Sequence, residues 1–347
     1  MTERLLQAAL KRNNRGRPPV WFMRQAGRYH AHYQKLRAAH EFIDLCKQPE
    51  LAVEVTLGPI EDFGFDAAIL FSDLLFPLEA MGLGLRYDPG PKLDWQLRAP
   101  ADLARLRGGA ALAQHLAFQG EALRRLRQRL PASCSLIGFV GGPFTLYAYA
   151  AAGSHEGFGR AGLPGLDNGL YAGFCAKLQG LLAANMALQA EAGAEAVAIF
   201  DTSAGALSAS DYARLVVPPL AAVIAEFRRT HPHTPLIYYS RGTDAEYWRA
   251  LQPLGIQCLG VDWQSNLAAT LAEQQGHWAV QGNIDPHWLH LPPNELEANL
   301  RSVWGEVARL PADVRAGWVC GLGHGVLPGT PEENVRLALR VQREMFA

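Results

Sequence analysis

The chain has 347 residues, nearly half of them apolar, and a formal net charge of −1. That length holds one large or two ordinary domains. Near-neutrality gives no general reason to bind nucleic acid or an anionic membrane, so any anion site must come from local clustering. The five cysteines, at 46, 134, 175, 258 and 320, form no CxxC and no disulfide or zinc framework. An odd, scattered set suits a reducing cytoplasm. The first residues lack the apolar run of a signal peptide, and no stretch of about 18 apolar residues marks a membrane span.

In chain order, "PVWFMR" (19–24) is the first predicted strand. "DAAILFS" (66–72), "SLIGFVG" (135–141), "AEAVAIF" (194–200) and "PLIYYS" (235–240) follow. "CLGVDW" (258–263), "WAVQGN" (278–283) and "GWVCGLG" (317–323) complete eight. They alternate little, as strands buried on both faces do. Residues 102–130 and 211–229 carry apolar residues at helical spacing, the second with a kink or break expected at Pro218 and Pro219. Thr243 with Glu246, and Thr330 with Glu333 and Pro331, read as capping boxes.

Eight strands alternating with helices predict a single-domain (β/α)₈ TIM barrel over 1–347, with residues 1–18 as an N-terminal extension. A doubly wound open sheet is the other candidate, but no G-x-G-x-x-G follows the first strand and no P-loop occurs. The glycine-rich segment 153–169 is expected to be a long loop over one mouth of the barrel.

In a TIM barrel the active-site groups lie just past the C-terminal strand ends. The sequence places Arg24, Gln25 and Arg28 after the first strand, and Ser72 and Asp73 after the second. Thr145 and Tyr149 follow the third, Asp201 and Thr202 the fourth, and Arg241 the fifth. Asp262 closes the sixth, Gln281, Asn283 and Asp285 the seventh, and His324 within "GLGHG" the eighth.

Each has a plain structural alternative. Arg24, Arg28 and Arg37 are either surface charges paired with acids or a polyanion site. No acid lies between Tyr29 and His40 to neutralise them, and guanidinium groups bind carboxylate or phosphate in a forked geometry. Asp73 is either a cap or salt-bridge partner, or an acceptor for substrate N–H groups that stabilises developing positive charge. His324 is structural or catalytic, and Cys320, four residues before it, has no second pair at metal-ligand spacing. Tyr147 and Tyr149 read as packing aromatics, Thr202 as a cap and Arg241 as a partner of Asp244, unless their shared position at strand ends is functional. Trp21, Phe22, Phe71, Phe139, Phe144, Phe200 and Trp263 are assigned to the core, with a few free to line a flat apolar pocket.

Taken together, "PVWFMRQAGRY", "FDAAILFSDLL", "IGFVGGPFTLYAY", "AIFDTSAGALS", "VQGNIDP" and "GLGHGVLPGTPEENV" resemble the uroporphyrinogen decarboxylase family, in the same order over nearly the whole chain. The resemblance implies a cofactor-free, metal-free (β/α)₈ enzyme, typically a cytoplasmic homodimer. Such an enzyme removes CO₂ from the four acetate arms of uroporphyrinogen III to give coproporphyrinogen III. It implies that Arg24, Gln25, Ala26, Gly27 and Arg28 bind substrate carboxylates and that Asp73 faces the pyrrole N–H groups. Tyr149, Thr202 and His324 fall on the family's remaining site positions. Catalysis is expected from Asp73, Arg24, Arg28, Tyr149 and His324, with Arg37 among the substrate-binding groups.

The chain departs from the family pattern at His30, Ala31 and His32, at Glu61 and Asp62, at Pro77, at Ala151 to Gly153, at Arg241 and at Gly321. The alternatives within the superfamily are a zinc-dependent corrinoid methyltransferase and a non-catalytic tetrapyrrole-binding protein. The first needs a His-x-Cys pair that this chain lacks.

Overall fold

The computed structural model describes residues 3–88, 90–153 and 162–347. Strand β1 (Ala67–Ile69) is followed by a short antiparallel pair, β2 (Arg86–Tyr87) and β3 (Pro91–Lys92). Then come β4 (Ser135–Gly141), β5 (Ala196–Phe200), β6 (Leu236–Tyr239), β7 (Cys258–Gly260), β8 (Ala279–Ile284) and β9 (Trp318–Leu322). β1 and β4 to β9 form one parallel sheet in chain order, with helices between successive strands. Every residue of β4 to β9 is buried, which is why the sequence shows no alternation. The result is a (β/α)₈ barrel.

The first predicted strand is reduced to a bridge, Val20 beside Cys320. Pro18 and Pro19 have no N–H to offer a ladder. The segment still joins both edges of the sheet. Cys320 N donates to Pro19 O at 2.8 Å and Trp21 N to Cys320 O at 3.2 Å, while Asp66 N donates to Val20 O at 2.9 Å. Asp66 supplies the missing acceptor itself, taking Val20 N on Oδ2 at 2.9 Å. Its carboxylate also holds Arg17 through two 2.6 Å hydrogen bonds.

Other expectations are corrected by tertiary contacts. Strand β1 ends three residues early because Phe71 N turns to Thr56 Oγ1 at 3.0 Å. Residues 102–130 are not one helix: 3₁₀ turns Pro100–Arg105 and Ala110–Leu116 precede helix Ala117–Arg129, with a left-handed Gly109 between them. At Pro218 and Pro219 the helix does not end: a π-turn at Tyr212–Val216 interrupts its regular pattern and leads into helix Val217–Arg228, with the prolines in that helix's first turn. Neither capping box forms. Thr243 Oγ1 bonds Ser240 and takes Trp248 Nε1, leaving Asp244 as the cap, and Thr330 Oγ1 bonds Leu327 O and His290. Of the 153–169 loop, residues 154–161 lie outside the described residues; beyond them Tyr147 OH donates to Pro164 O and Leu163 and Leu166 are buried.

One contact sets the helix that carries Tyr149. Helix Pro143–Ala152 begins at Gly142, which has no side chain to cap it. Asp201, at the end of β5, caps it from outside, accepting Thr145 N on Oδ1 at 2.7 Å. A Cβ at Gly142 would collide with that carboxylate. Thr145 Oγ1 in turn takes Ser203 N at 3.0 Å, tying the helix to the turn that begins at Thr202. Asp201 is fully buried, and burial outweighs the hydrogen bonds from Thr145, pushing its carboxyl up to about 6.

Two stability predictions follow from these clamps. Asp66→Ala is expected to cost about 2–4 kcal/mol in urea unfolding, because it strands the Arg17 guanidinium and the Val20 N–H together. The folded-state carboxyl of Asp201 holds its proton to higher pH than the unfolded chain, so its contribution is full at low pH and is lost as pH rises through about 6. Comparing the wild type with Asp201→Asn from pH 4 to 7, the difference should move in favour of the variant by roughly 2 kcal/mol.

Candidate active site

The arginine turn is a strained loop held from several sides. Arg24 has φ +61°, an uncommon conformation for a side chain with a Cβ. Gln25, fully enclosed, fixes the turn's start: its Oε1 takes Phe22 N at 3.1 Å and its Nε2 donates to Ala67 O at 3.1 Å. Tyr29 OH donates to Gln25 O at 2.7 Å, and His30 N to Gly27 O at 3.0 Å. From the loop after the neighbouring β9, Val326 N donates to Met23 O at 2.9 Å. The glycine of "GHG" makes room here, since a Cβ on Gly325 would lie 2.5 Å from Arg24 Cδ. Gly27 likewise sits tight against Arg24 O, and Ala26 packs with Tyr33, Leu45 and Val55.

Arg24 and Arg28 are exposed, and among the described residues neither has a carboxylate within ion-pair distance. Arg17 and Arg37 differ: the first is clamped by Asp66, and the second donates to His40 O at 2.8 Å and meets Glu41 at 3.4 Å. Arg37 therefore has its own local partners, although its charge and that of Arg28 both bear on the Tyr33 phenol.

Asp73 sits four residues beyond β1, half-buried, with Oδ1 accepting Leu75 N at 2.8 Å. Phe71, Tyr33, Phe42 and Tyr87 form a chain of ring contacts next to it, with centroids 4.6–5.9 Å apart. Burial raises the Asp73 carboxyl above the usual range; the Leu75 N–H, the Tyr87 phenol and the charge of Arg24 pull the other way. Arg24 and Asp73 thus share one electrostatic environment, with no direct ion pair between them. The sequence reading missed Tyr87, although the Asp-Pro-Gly at 88–90 is a turn signal that could have exposed the small β2–β3 pair.

The remaining predicted groups lie past other strand ends. Tyr149 and Thr202 are half-buried on the helix and turn that Asp201 holds together. His324 is half-buried, stacked at 5.9 Å on Tyr239, with Nδ1 3.2 Å from the Tyr239 oxygen. The Tyr239 hydroxyl also lies 2.8 Å from Gly323 O, so it sits between that carbonyl and the His324 imidazole. Burial pushes the Tyr239 phenol up and Asp262 adds to this, while Arg241 and Arg24 oppose it. Two guanidinium groups from opposite strand ends therefore bear on the phenol that orients His324.

Arg241 does not pair with Asp244, whose Oδ1 accepts Glu246 N instead. It is exposed and has no carboxylate partner among the described residues. Asp262, Asn283 and Asp285 have structural roles: Asp262 takes Gly242 N and Gln264 N, Asn283 donates to Asp262 O and Ser265 O, and Asp285 caps the turn that follows it. Ser72 takes Gln119 Nε2 at 2.9 Å. Trp21, Phe22 and Phe144 are core, whereas Phe71 and Trp263 are half-buried near the rim. Among the described residues no group of three His, Cys, Asp or Glu side chains converges as a metal site, and all five cysteines are buried.

The family model described as uroporphyrinogen decarboxylase (URO-D) matches residues 1–345. A uroporphyrinogen decarboxylase of Solibacter usitatus is 37% identical over 99% of this chain and 98% of its own length. One from Syntrophotalea carbinolica is 40% identical over 92% of this chain and 91% of its own length. Among solved structures, a methyltransferase from Methanosarcina mazei superposes with a TM-score of 0.77 at 20% identity, covering 99% of this chain and 100% of its own. At that identity the likeness carries the fold and not the activity. A matched family model over almost every residue, and relatives this similar along their full length, establish that the chain belongs to the uroporphyrinogen decarboxylase family.

Proposed function

We propose that the protein decarboxylates the four acetate arms of uroporphyrinogen III, giving coproporphyrinogen III in tetrapyrrole biosynthesis, as a cytoplasmic homodimer that needs no cofactor. The observation that carries this reading is a pair of exposed guanidinium groups, Arg24 and Arg28, without acidic partners among the described residues, with the charge of Arg24 acting on the half-buried acid Asp73. The substrate carries eight carboxylates around a flexible macrocycle. Unpaired arginines bind such a guest without a globally basic surface. Arg241 adds a third guanidinium from another strand end, and the rings around Asp73 offer an apolar wall for pyrrole faces.

Loss of CO₂ from an acetate on a pyrrole requires an electron sink. A proton added to the ring carbon beside the arm creates a cationic, imine-like ring. The bond to the carboxyl carbon then breaks, its electron pair enters the ring, and CO₂ leaves. A second proton converts the exocyclic methylene to methyl as the first ring proton departs, so each cycle consumes one proton net. Asp73, as carboxylate, accepts the pyrrole N–H and stabilises the cation. Burial strengthens that interaction, since the charge of the ring is then screened by little water. Arg24 and Arg28 orient the reacting acetate. Tyr149, Thr202 and His324 complete the contacts, with His324 oriented by Tyr239.

Anaerobic incubation with uroporphyrinogen III, oxidation and separation by carboxylate number should give a ladder from eight to four. A wild-type protein that leaves the octacarboxylate intact defeats the proposal. Asp73→Asn is expected to lower kcat by at least about 100-fold while keeping the folded far-UV spectrum. Because the Asp73 carboxyl is raised and must be ionised to act, the acid limb of kcat/KM should fall above the ordinary carboxylate range near pH 4.

A further inference from the structure

Two segments where this chain departs from the family pattern meet in space. His30 closes the arginine turn and is completely enclosed, with its ring among those of Tyr29, His32 and Phe63. Its Nε2 lies 2.7 Å from Oδ2 of Asp62. Its Nδ1 is buried without a partner, so Asp62 is the ring's one hydrogen-bond partner among the described residues. A buried imidazole held on a single polar contact depends on that contact for its place.

Both ends of the pair lead to the site. On one side, His30 N donates to Gly27 O at 3.0 Å and closes the strained turn that displays Arg24 and Arg28. On the other, Asp62 lies near the end of helix Pro49–Phe63, which runs through Gly64 into β1 and on to Asp73. The same helix redirects the chain before Asp73, through Thr56 Oγ1 and Phe71 N. It also receives His32, whose Nε2 meets Glu54 O at 3.0 Å over a gap left by Gly58. One helix therefore serves as the common frame for the arginine turn and the acid.

We propose that His30 and Asp62 are a positioning pair that sets the arginine turn at the height and angle needed to engage the carboxylates of a polyanionic guest. The guest's identity rests on the decarboxylase reading; the positioning role does not. Neither residue touches substrate in this proposal. Loss of the contact frees the turn to swing, so affinity falls more than turnover.

The test uses the full-length protein with Asp62→Ala and Asp62→Asn. Asp62 is itself exposed, and the Asn variant retains an oxygen that accepts from His30 Nε2–H. Asp62→Ala should raise KM for uroporphyrinogen III about tenfold, with kcat changed less than about threefold, and Asp62→Asn should restore KM to near the wild-type value. Fluorescence titration with uroporphyrin, an octacarboxylate that needs no turnover, should show the same pattern in Kd. A wild-type KM and Kd in Asp62→Ala, whether or not its melting temperature drops, overturns the proposal, as does equal impairment in both variants. A wild type that binds uroporphyrin yet releases no CO₂ defeats only the decarboxylase reading, and the Kd series then decides the positioning role.

Discussion

A left-handed backbone at Arg24 has to be held from outside, because nothing in its own conformation favours it. Every neighbour of the arginine turn contributes to that restraint. Gln25 spans from Phe22 to Ala67, Tyr29 returns to Gln25, His30 reaches Asp62, and Val326 bonds Met23 from the loop after β9. The side chain then lies over Gly325, where any Cβ would intrude. Three parts of the barrel thereby converge on one residue: the first segment, the helix before β1, and the loop after β9. Asp66 stands beneath this arrangement, because its backbone and carboxylate join the first segment to β1.

The electrostatics follow from the same restraint. An exposed arginine is usually satisfied by a nearby acid, as most guanidinium groups on the helices of this barrel are. Arg24 is fixed within the field of Asp73 but outside ion-pair distance of it. Each group therefore keeps its binding capacity. A direct salt bridge would neutralise both and leave little for a guest. The aromatic surroundings that raise the Asp73 carboxyl also limit the water that would otherwise weaken its pull on a cation.

The sequence made most strands legible because uninterrupted apolar runs of that length occur where both faces are covered, and β4 to β9 all appear where expected. It also placed Arg24, Asp73 and His324 at strand ends, where the barrel brings them to one rim. The failures have a common origin in tertiary competition for local groups. Thr243 and Thr330 have the right spacing for caps, but their hydroxyls are taken by Ser240 and by Leu327 and His290. The first segment reads as a strand, yet two prolines and a side-chain acceptor leave it only a bridge. Tyr87 and the contact between His30 and Asp62 depend on residues far apart in sequence, and no periodicity records them. Gln25 reads as a ligand from its place in the motif, whereas its amide is committed to the backbone on both sides.

That Arg24, Arg28 and Arg241 meet no counter-ion among the described residues has a kinetic corollary. Each turnover removes one negative charge from the guest while the protein's positive charges stay fixed. Attraction is thus greatest for the octacarboxylate entering and weakest for the tetracarboxylate leaving. A descending charge ladder of this kind favours retention of half-processed macrocycles over their escape, and it lets the finished one dissociate without any moving part. Added salt should flatten the gradient and let intermediates leak.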